Sequence, residues 1–154
     1  MNSEDGIWKP HVTVAAIVER DGRFLVVEEE TDHGPQFNQP AGHLDPGESL
    51  IEAVRRETLE ETAYRFDAQS LVGIYHHRVP ATGITYLRFA FAGTLGGPVP
   101  GRTLDTGIIR AAWLTTEELR QTASRHRTPL VLRCVEDYLA GKRYPLDLLQ
   151  GTAV

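Results

Sequence analysis

The sequence predicts an α+β fold, an α/β/α sandwich in which a mixed β-sheet lies between helices. Apolar, β-branched segments separated by turn signals recur through most of the chain. A loop rich in glycine and proline leads into a capped helix at Ser49, and the last strong pattern, Pro129–Leu139, is that of an amphipathic helix. Strands and helices of this kind bury their apolar faces against one another when they stack in layers.

The first part of the chain is predicted to consist mainly of strands. Asp21-Gly22 is a tight-turn signal that joins two apolar runs into a hairpin. A polar loop and a short extended segment follow, and Pro40 ends that segment. The predicted elements are a strand over His11–Glu19, a returning strand over Arg23–Glu29, a loop over Thr31–Gly34 and an extended segment over Gln36–Gln39.

Ser49 is predicted to begin the first helix. Glu52, three residues later, forms a capping box with it, in which the serine hydroxyl accepts from a backbone N–H and the glutamate reaches back. The helix is expected to run for about a dozen residues and to end near Ala63. Glycine is the preferred residue at such an end because it enters the left-handed conformation without steric cost, so Ala63 lacks the favoured C-cap.

The second half of the chain is predicted to combine long strands with two helices. The predicted elements are a strand-like segment over Phe66–Arg78, a turn over Pro80–Gly83, a central strand over Ile84–Leu95, a long loop over Gly96–Gly107, a strand over Ile108–Leu114, a short helix over Glu117–Thr122 capped by Thr116, and a helix over Pro129–Leu139. Cys134 lies among apolar residues of the last helix, which predicts a buried structural thiol.

Composition bounds the class of protein. A chain of 154 residues with 41% hydrophobic content predicts one domain over residues 1–154, with a flexible tail at 1–8. The net charge of −5 argues against a nucleic-acid partner. The single cysteine rules out an intramolecular disulfide framework. Because the N-terminus has no export signal and no apolar run approaches membrane-spanning length, we expect a cytoplasmic protein without a membrane partner.

The segment from Gly42 to Glu61, GHLDPGESLIEAVRRETLEE, carries the chemistry. Glu57, Glu60 and Glu61 are three and four residues apart, which brings their carboxylates onto neighbouring positions of one helix surface. Like charges at these spacings destabilise an isolated helix, and a hard divalent cation with oxygen ligands would neutralise them. A solvated charged face is the commoner explanation of such a pattern. The spacing of the whole segment decides between the two.

That spacing reads glycine, five residues, glutamate, seven residues, Arg-Glu, two residues, Glu-Glu. It resembles the box of the Nudix hydrolase family. Thr58, Ala63 and Tyr64 depart from the softer positions of the family pattern, and none of these departures touches a charge. We therefore expect altered packing at the helix end and intact chemistry. Residues 9–149 as a whole resemble one subfamily, the NudJ-type phosphatases. The segments that carry this resemblance are FNQPAGHLDPGESLIEAVRRE, TYLRFAFAGTL and the tail with RTPLV and GKRYPLD.

The resemblance implies the Nudix fold and a Mg²⁺-dependent hydrolase, with Mn²⁺ as an alternative, whose partner is a small phosphorylated substrate. In the family that substrate is a nucleoside diphosphate linked to another group, and water attacks phosphorus. The subfamily implies a monomer that releases phosphate from nucleoside tri- and diphosphates, hydroxymethylpyrimidine pyrophosphate and thiamin pyrophosphate. Another Nudix specificity (an oxidised nucleotide, a dinucleoside polyphosphate or a nucleotide sugar) is an alternative. A non-catalytic nucleotide-binding regulator is another, although the full set of charged box residues argues against it.

The residue types suit this reaction independently of the family. Divalent cations neutralise a polyphosphate and lower the pKa of bound water, and Glu57, Glu60 and Glu61 offer the oxygens that Mg²⁺ prefers. Arg56 either contacts phosphate or, as we expect from its i, i+4 partners, pairs with Glu52, Glu60 or Glu48.

The resemblance implies further roles. The backbone carbonyl near Gly42 would add a metal ligand, and Glu48 would act through water or by holding the loop. Substrate contacts are expected from His43, Gln39, Phe37 and Glu48, with Phe37 in the place of a tryptophan usual in the subfamily. The general base is Glu57 or Glu61, or Asp105 in a later loop, and Asp105 is otherwise read as a plain turn residue.

Overall fold

The computed structural model describes residues 6–152 and confirms the predicted fold class, with a mixed sheet flanked by helices. Residues 1–5 of the predicted tail lie outside the described residues. The strands are β1 His11–Ile17, β2 Glu19–Arg20, β3 Arg23–Thr31, β4 Gly34–Asn38, β5 Ala41–His43, β6 Tyr64–Arg78, β7 Thr85–Pro98 and β8 Ile108–Thr115. The helices are α1 Leu50–Thr62, α2 Thr116–Gln121 and α3 Leu130–Leu139, with short 3₁₀ turns at Ala123–Arg125 and Leu146–Leu148.

The mixed sheet has the strand order β5-β1-β7-β6. β1 and β7 run parallel, and the other two pairs are antiparallel. Thr13 on β1 lies opposite His43 on β5 and opposite Arg88 on β7. This register sets the three residues in one row across the sheet.

The remaining strands form a second, antiparallel sheet around β3, which pairs with β2, β4 and β8. Asp21 and Gly22 join β2 to β3 with φ angles of 51° and 76°, as expected for the predicted tight turn. β3 continues to Thr31 and β4 begins at Gly34, so the predicted loop is shortened to a two-residue turn. The strands therefore divide between two sheets, where the sequence had predicted one.

Helices cover both faces of the mixed sheet. Ala53 and Val54 of α1 pack with Val14 and Phe91 on one face. On the opposite face, Cys134 and Val135 of α3 pack with Val72, Ala90 and Ala92. Cys134 is fully buried, which confirms the predicted structural thiol.

The ends of the helices are specified by local chemistry. Ser49 caps α1 by accepting from the N–H of Glu52 at 3.1 Å, whereas the predicted return bond from the Glu52 side chain does not form within residues 6–152. Ala63 ends α1 with a φ of 65°, in the left-handed region. In α2 the N-cap is Thr115, not Thr116, and its capping box with Glu118 is complete. β7 runs on to Pro98 and so shortens the predicted long loop. No helix within residues 6–152 is long and apolar enough to cross a lipid bilayer.

Candidate active site

Three carboxylates converge where α1 meets the loop before β8. One oxygen from each of Glu57, Glu60 and Asp105 lies within 4.8 Å of the others. The N–H of Asp105 donates to the carbonyl oxygen of Glu60 at 3.0 Å, which ties this loop to the helix. Carboxylate oxygens are the ligands that hard divalent cations prefer. The side chains of these residues are therefore suited to hold a divalent metal ion.

Arg56 holds the acidic side chains in place. Its guanidinium donates to both oxygens of Glu48, at 2.7 and 3.0 Å, to Glu57 at 2.8 Å and to Glu60 at 3.2 Å. It also donates to the carbonyl oxygen of His43 at 2.9 Å. These bonds raise the pKa of Arg56, and its hydrogen bonds lower the pKa of Glu48. Arg56 thus pairs with carboxylates, as expected, but Glu52 is not among its partners.

Gly42 brings β5 against the carboxylate of Glu57. An ideal Cβ at position 42 would lie 2.2 Å from the Glu57 carboxyl carbon, so no larger residue fits without moving that carboxylate. β5 is held there by pairing with β1, where Gly42 lies opposite Val14. Burial raises the pKa of Glu57, and the hydrogen bond from Arg56 opposes this effect.

Glu61, which the sequence predicted as a metal ligand, is not one of the three converging carboxylates, but the charges of Glu57 and Asp105 act on it. It is only 8% exposed, and one of its oxygens accepts from the N–H of Ala41 at 2.9 Å. Consecutive helical residues point about 100° apart, so Glu61 faces the sheet while Glu60 faces the loop of Asp105. Burial raises the pKa of Glu61 to about 9, reinforced by the nearby charge of Glu29.

A cavity of about 510 Å³ opens on the other side of β5 from the Glu57 carboxylate. Gly42 lines it and also touches Glu57, so the cavity and the carboxylates meet at β5. His43, predicted to contact substrate, lines the cavity, and its Nε2 lies 3.0 Å from Nδ1 of His11. Partial desolvation, and then His11, lower the pKa of His43.

Three predicted substrate contacts do not line this cavity. Phe37 is 3% exposed, packs in the core and lies 4.5 Å beneath the Arg125 guanidinium. Side chains alternate along β4, so Asn38 reaches the cavity and Phe37 turns away. Gln39 is 1% exposed and donates to the carbonyl oxygen of Val131 at 2.7 Å. Glu48 is held by Arg56 at the start of α1.

The cavity is also lined by residues that the sequence analysis did not predict to contact substrate. Arg88, Asn38, Tyr86 and His77 all line the cavity. Arg88 had a visible signal, because an arginine interrupts the apolar strand TYLRFAFAGTL and a charge in such a position needs an explanation. Asn38 belongs to the FNQPAGH segment that carries the resemblance, but its contact with Arg88 depends on how two separate strands are placed.

Comparison with known proteins agrees with this geometry. The sequence model of the NUDIX domain matches residues 9–134. Phosphatase NudJ of Escherichia coli strain K12 is 41% identical over 143 residues, which are 93% of this chain and 92% of that protein. A NUDIX hydrolase from Nitrosomonas europaea has 54% identity and a TM-score of 0.92, covering 94% of this chain and 99% of that one.

A more distant likeness shows the fold alone. The NUDIX domain of Shewanella oneidensis NrtR, complexed with ADP-ribose, is 14% identical with a TM-score of 0.69, covering 90% of this chain and 94% of that one. The family assignment rests on the matched residues 9–134, on the NudJ similarity across nearly the whole chain and on the box residues gathered around Arg56. On these grounds, the chain belongs to the Nudix hydrolase family.

Proposed function

We propose that this protein hydrolyses phosphoanhydride bonds with the help of Mg²⁺ and releases phosphate. The proposed substrates are nucleoside tri- and diphosphates and thiamin-related pyrophosphates, including hydroxymethylpyrimidine pyrophosphate and thiamin pyrophosphate. The observation that carries the proposal is the convergence of Glu57, Glu60 and Asp105 across β5 from a cavity of about 510 Å³. The similarity to a protein named a phosphatase supports the choice of phosphate as product.

Glu57, Glu60 and Asp105 would hold the metal ion, with Mn²⁺ as an alternative to Mg²⁺. These residues fit a divalent cation because all three side chains are carboxylates. Gly42 also has no side chain that would push the Glu57 carboxylate out of its position. The backbone carbonyl of Gly42 remains a proposed further ligand. When bound, the metal ion neutralises phosphate charge and lowers the pKa of a bound water.

The protein's own groups would position the reactants and move the proton. Arg56 holds Glu57 and Glu60 by direct hydrogen bonds, so its proposed role is to orient them. Glu61 is our first candidate for the general base, because it is not one of the three carboxylates that converge on the proposed metal site. A carboxylate fully engaged with metal is the poorer base, which places Glu57 and Asp105 second.

Product analysis tests the proposal. The purified protein and Mg²⁺ would be given nucleoside tri- and diphosphates, thiamin pyrophosphate, ADP-ribose and a dinucleoside tetraphosphate, with phosphate and pyrophosphate measured separately. We expect phosphate from the simple di- and triphosphates, abolished by EDTA and restored by added Mg²⁺. Release of pyrophosphate, or turnover of the bridged substrates alone, would replace this specificity with another Nudix activity.

Absence of turnover together with tight nucleotide binding would favour the regulatory alternative. The fold does not choose between these outcomes, since a Nudix fold carries many functions. The monomeric state and the cytoplasmic location stay predictions from the sequence.

A further inference from the structure

Arg88 is a buried cation without a buried anion to match it. It lies on β7 in the mixed sheet, is 5% exposed and lines the cavity. Its Nη1 donates to Oε1 of Gln39 at 3.0 Å and lies 3.7 Å from Sγ of Cys134, and its Nη2 donates to Oδ1 of Asn38 at 2.7 Å. All three partners are uncharged groups in this arrangement. Within residues 6–152, no carboxylate comes within 4.0 Å of the guanidinium.

These partners use part of the hydrogen-bonding capacity of Arg88, but none of them neutralises its positive charge. A guanidinium has five N–H donors, and the partners in residues 6–152 do not use the one at Nε. Charged side chains are almost never fully buried unless an opposite charge or a ligand pairs with them. A cation that faces a cavity in this state is suited to an anion that enters from solvent.

Of the two arginines that line the cavity within residues 6–152, Arg88 is the better placed to bind an anion. Arg127 also lines the cavity, but its Nη1 lies 2.8 Å from a carboxylate oxygen of Glu29, so its charge is already neutralised. His43 also lines the cavity, and its Nε2 lies 3.0 Å from Nδ1 of His11. Among the described cavity residues, Arg88 is thus the arginine with no acidic partner.

We propose that Arg88 binds a phosphate group of the substrate inside the cavity, so that it is a substrate-binding and specificity-determining residue. The inference rests on the proposed function and extends it to a residue outside the box. The planar fork of a guanidinium matches two oxygens of one phosphate. Thr13 and His43 lie in the same row across the sheet, and Gly42 beside His43 touches Glu57. A phosphate bound to Arg88 would therefore lie on one side of β5, and the cluster of Glu57, Glu60 and Asp105 lies on the other side of that strand.

Asn38→Asp is the informative variant, because it supplies the missing anion from within the protein. Aspartate has nearly the shape of asparagine and still accepts from Nη2 of Arg88, so the fold is expected to keep its thermal stability or gain some. We expect the Kd for inorganic phosphate, measured by calorimetry with Mg²⁺ present, to rise by about tenfold or more. The KM for a nucleoside diphosphate should rise with it, while kcat changes much less.

Two further variants test whether an effect on phosphate binding comes from Arg88 itself, from general charge repulsion in the cavity or from misfolding. Gln36→Glu adds the same charge to the same cavity on the same strand, and the hydrogen bonds of Arg88 within residues 6–152 do not include Gln36. It should weaken phosphate binding by a clearly smaller factor than Asn38→Asp. Arg88→Lys keeps the charge and loses the fork, so it should raise the phosphate Kd as well, provided that its melting temperature shows a folded protein.

The outcomes are decisive in both directions. Equal phosphate affinity in wild type and Asn38→Asp, equal losses in Asn38→Asp and Gln36→Glu, or no phosphate binding by wild type would each overturn the inference. Phosphate binding is read without turnover. A protein that binds phosphate through Arg88 but hydrolyses nothing would refute the proposed function alone. Normal hydrolysis with an unaffected Asn38→Asp variant would refute the role of Arg88 alone.

Discussion

The backbone of Gly42 packs directly against the carboxylate of Glu57, leaving no room for a side chain at position 42. An added Cβ would lie 2.2 Å from the carboxyl carbon and 2.2 Å from Oε1. Contacts this short force a neighbour to move, and the flexible end of Glu57 moves more easily than a strand held in a sheet. The glycine of the box therefore determines where a box glutamate lies.

Gly42→Ala is expected to displace the Glu57 carboxylate and to weaken metal binding by about 10- to 100-fold, as when the support of a metal ligand is lost. Calorimetric titration with Mn²⁺ measures this directly, with activity as a second readout. Gly97→Ala is the matched control, because nothing lies within 4 Å of its added Cβ and its φ is not positive. Unchanged metal affinity in Gly42→Ala would remove Glu57 from the metal site.

Glu61→Gln is expected to reduce kcat by about 10²- to 10⁴-fold, the usual contribution of a general base. Glutamine can still accept from the N–H of Ala41 through its carbonyl oxygen, so the fold should be retained. Glu52→Gln on the exposed side of α1 controls for the loss of a helical charge. A near-normal rate in Glu61→Gln would exclude Glu61 from metal binding and from proton transfer, and would move the base to Glu57 or Asp105.

The same substitution should alter stability in a pH-dependent way when metal is removed. Burial raises the pKa of Glu61 from its ordinary value of 4.5 to about 9 in the folded state. The folded state thus favours the protonated form, and its stability is greatest below pH 4.5 and falls as the pH rises towards 9. In EDTA, Glu61→Gln should therefore melt higher than wild type at pH 8, and the two should converge near pH 4.5. A constant difference across this range would contradict the raised pKa.

The sequence predicted the box helix well because its signals are local. Ser49 as cap and the acidic residues at i+3 and i+4 depend only on helical geometry, which sequence spacing determines. Asp105 is different, because it meets Glu60 through a backbone hydrogen bond between segments that are far apart along the chain. The resemblance made Asp105 a candidate general base, but its place beside Glu57 and Glu60 could not be predicted from spacing.

The absence of Phe37 from the cavity lining follows from the alternation of side chains along β4. Successive residues of a strand point to opposite faces, so a prediction that is one residue out assigns the wrong side chain to a cavity. Phe37 was predicted to contact substrate, and the structure brings Asn38 to the cavity instead. Nothing in the order of residues 37 and 38 tells which face of β4 meets the cavity, since that depends on its pairing with β3.

Ala63 ends α1 with a φ of 65°, a conformation that costs a residue with a side chain about 1–2 kcal/mol. Ala63→Gly removes this cost but gives more freedom to the unfolded chain, so we expect the free energy of unfolding to rise by about 1 kcal/mol. Urea denaturation of the two proteins measures the difference. Ala140→Gly is the matched control, because Ala140 ends α3 with a φ of −72° and glycine should destabilise that site by about 0.5–1 kcal/mol. If both substitutions destabilise the protein equally, the left-handed conformation at Ala63 carries no cost.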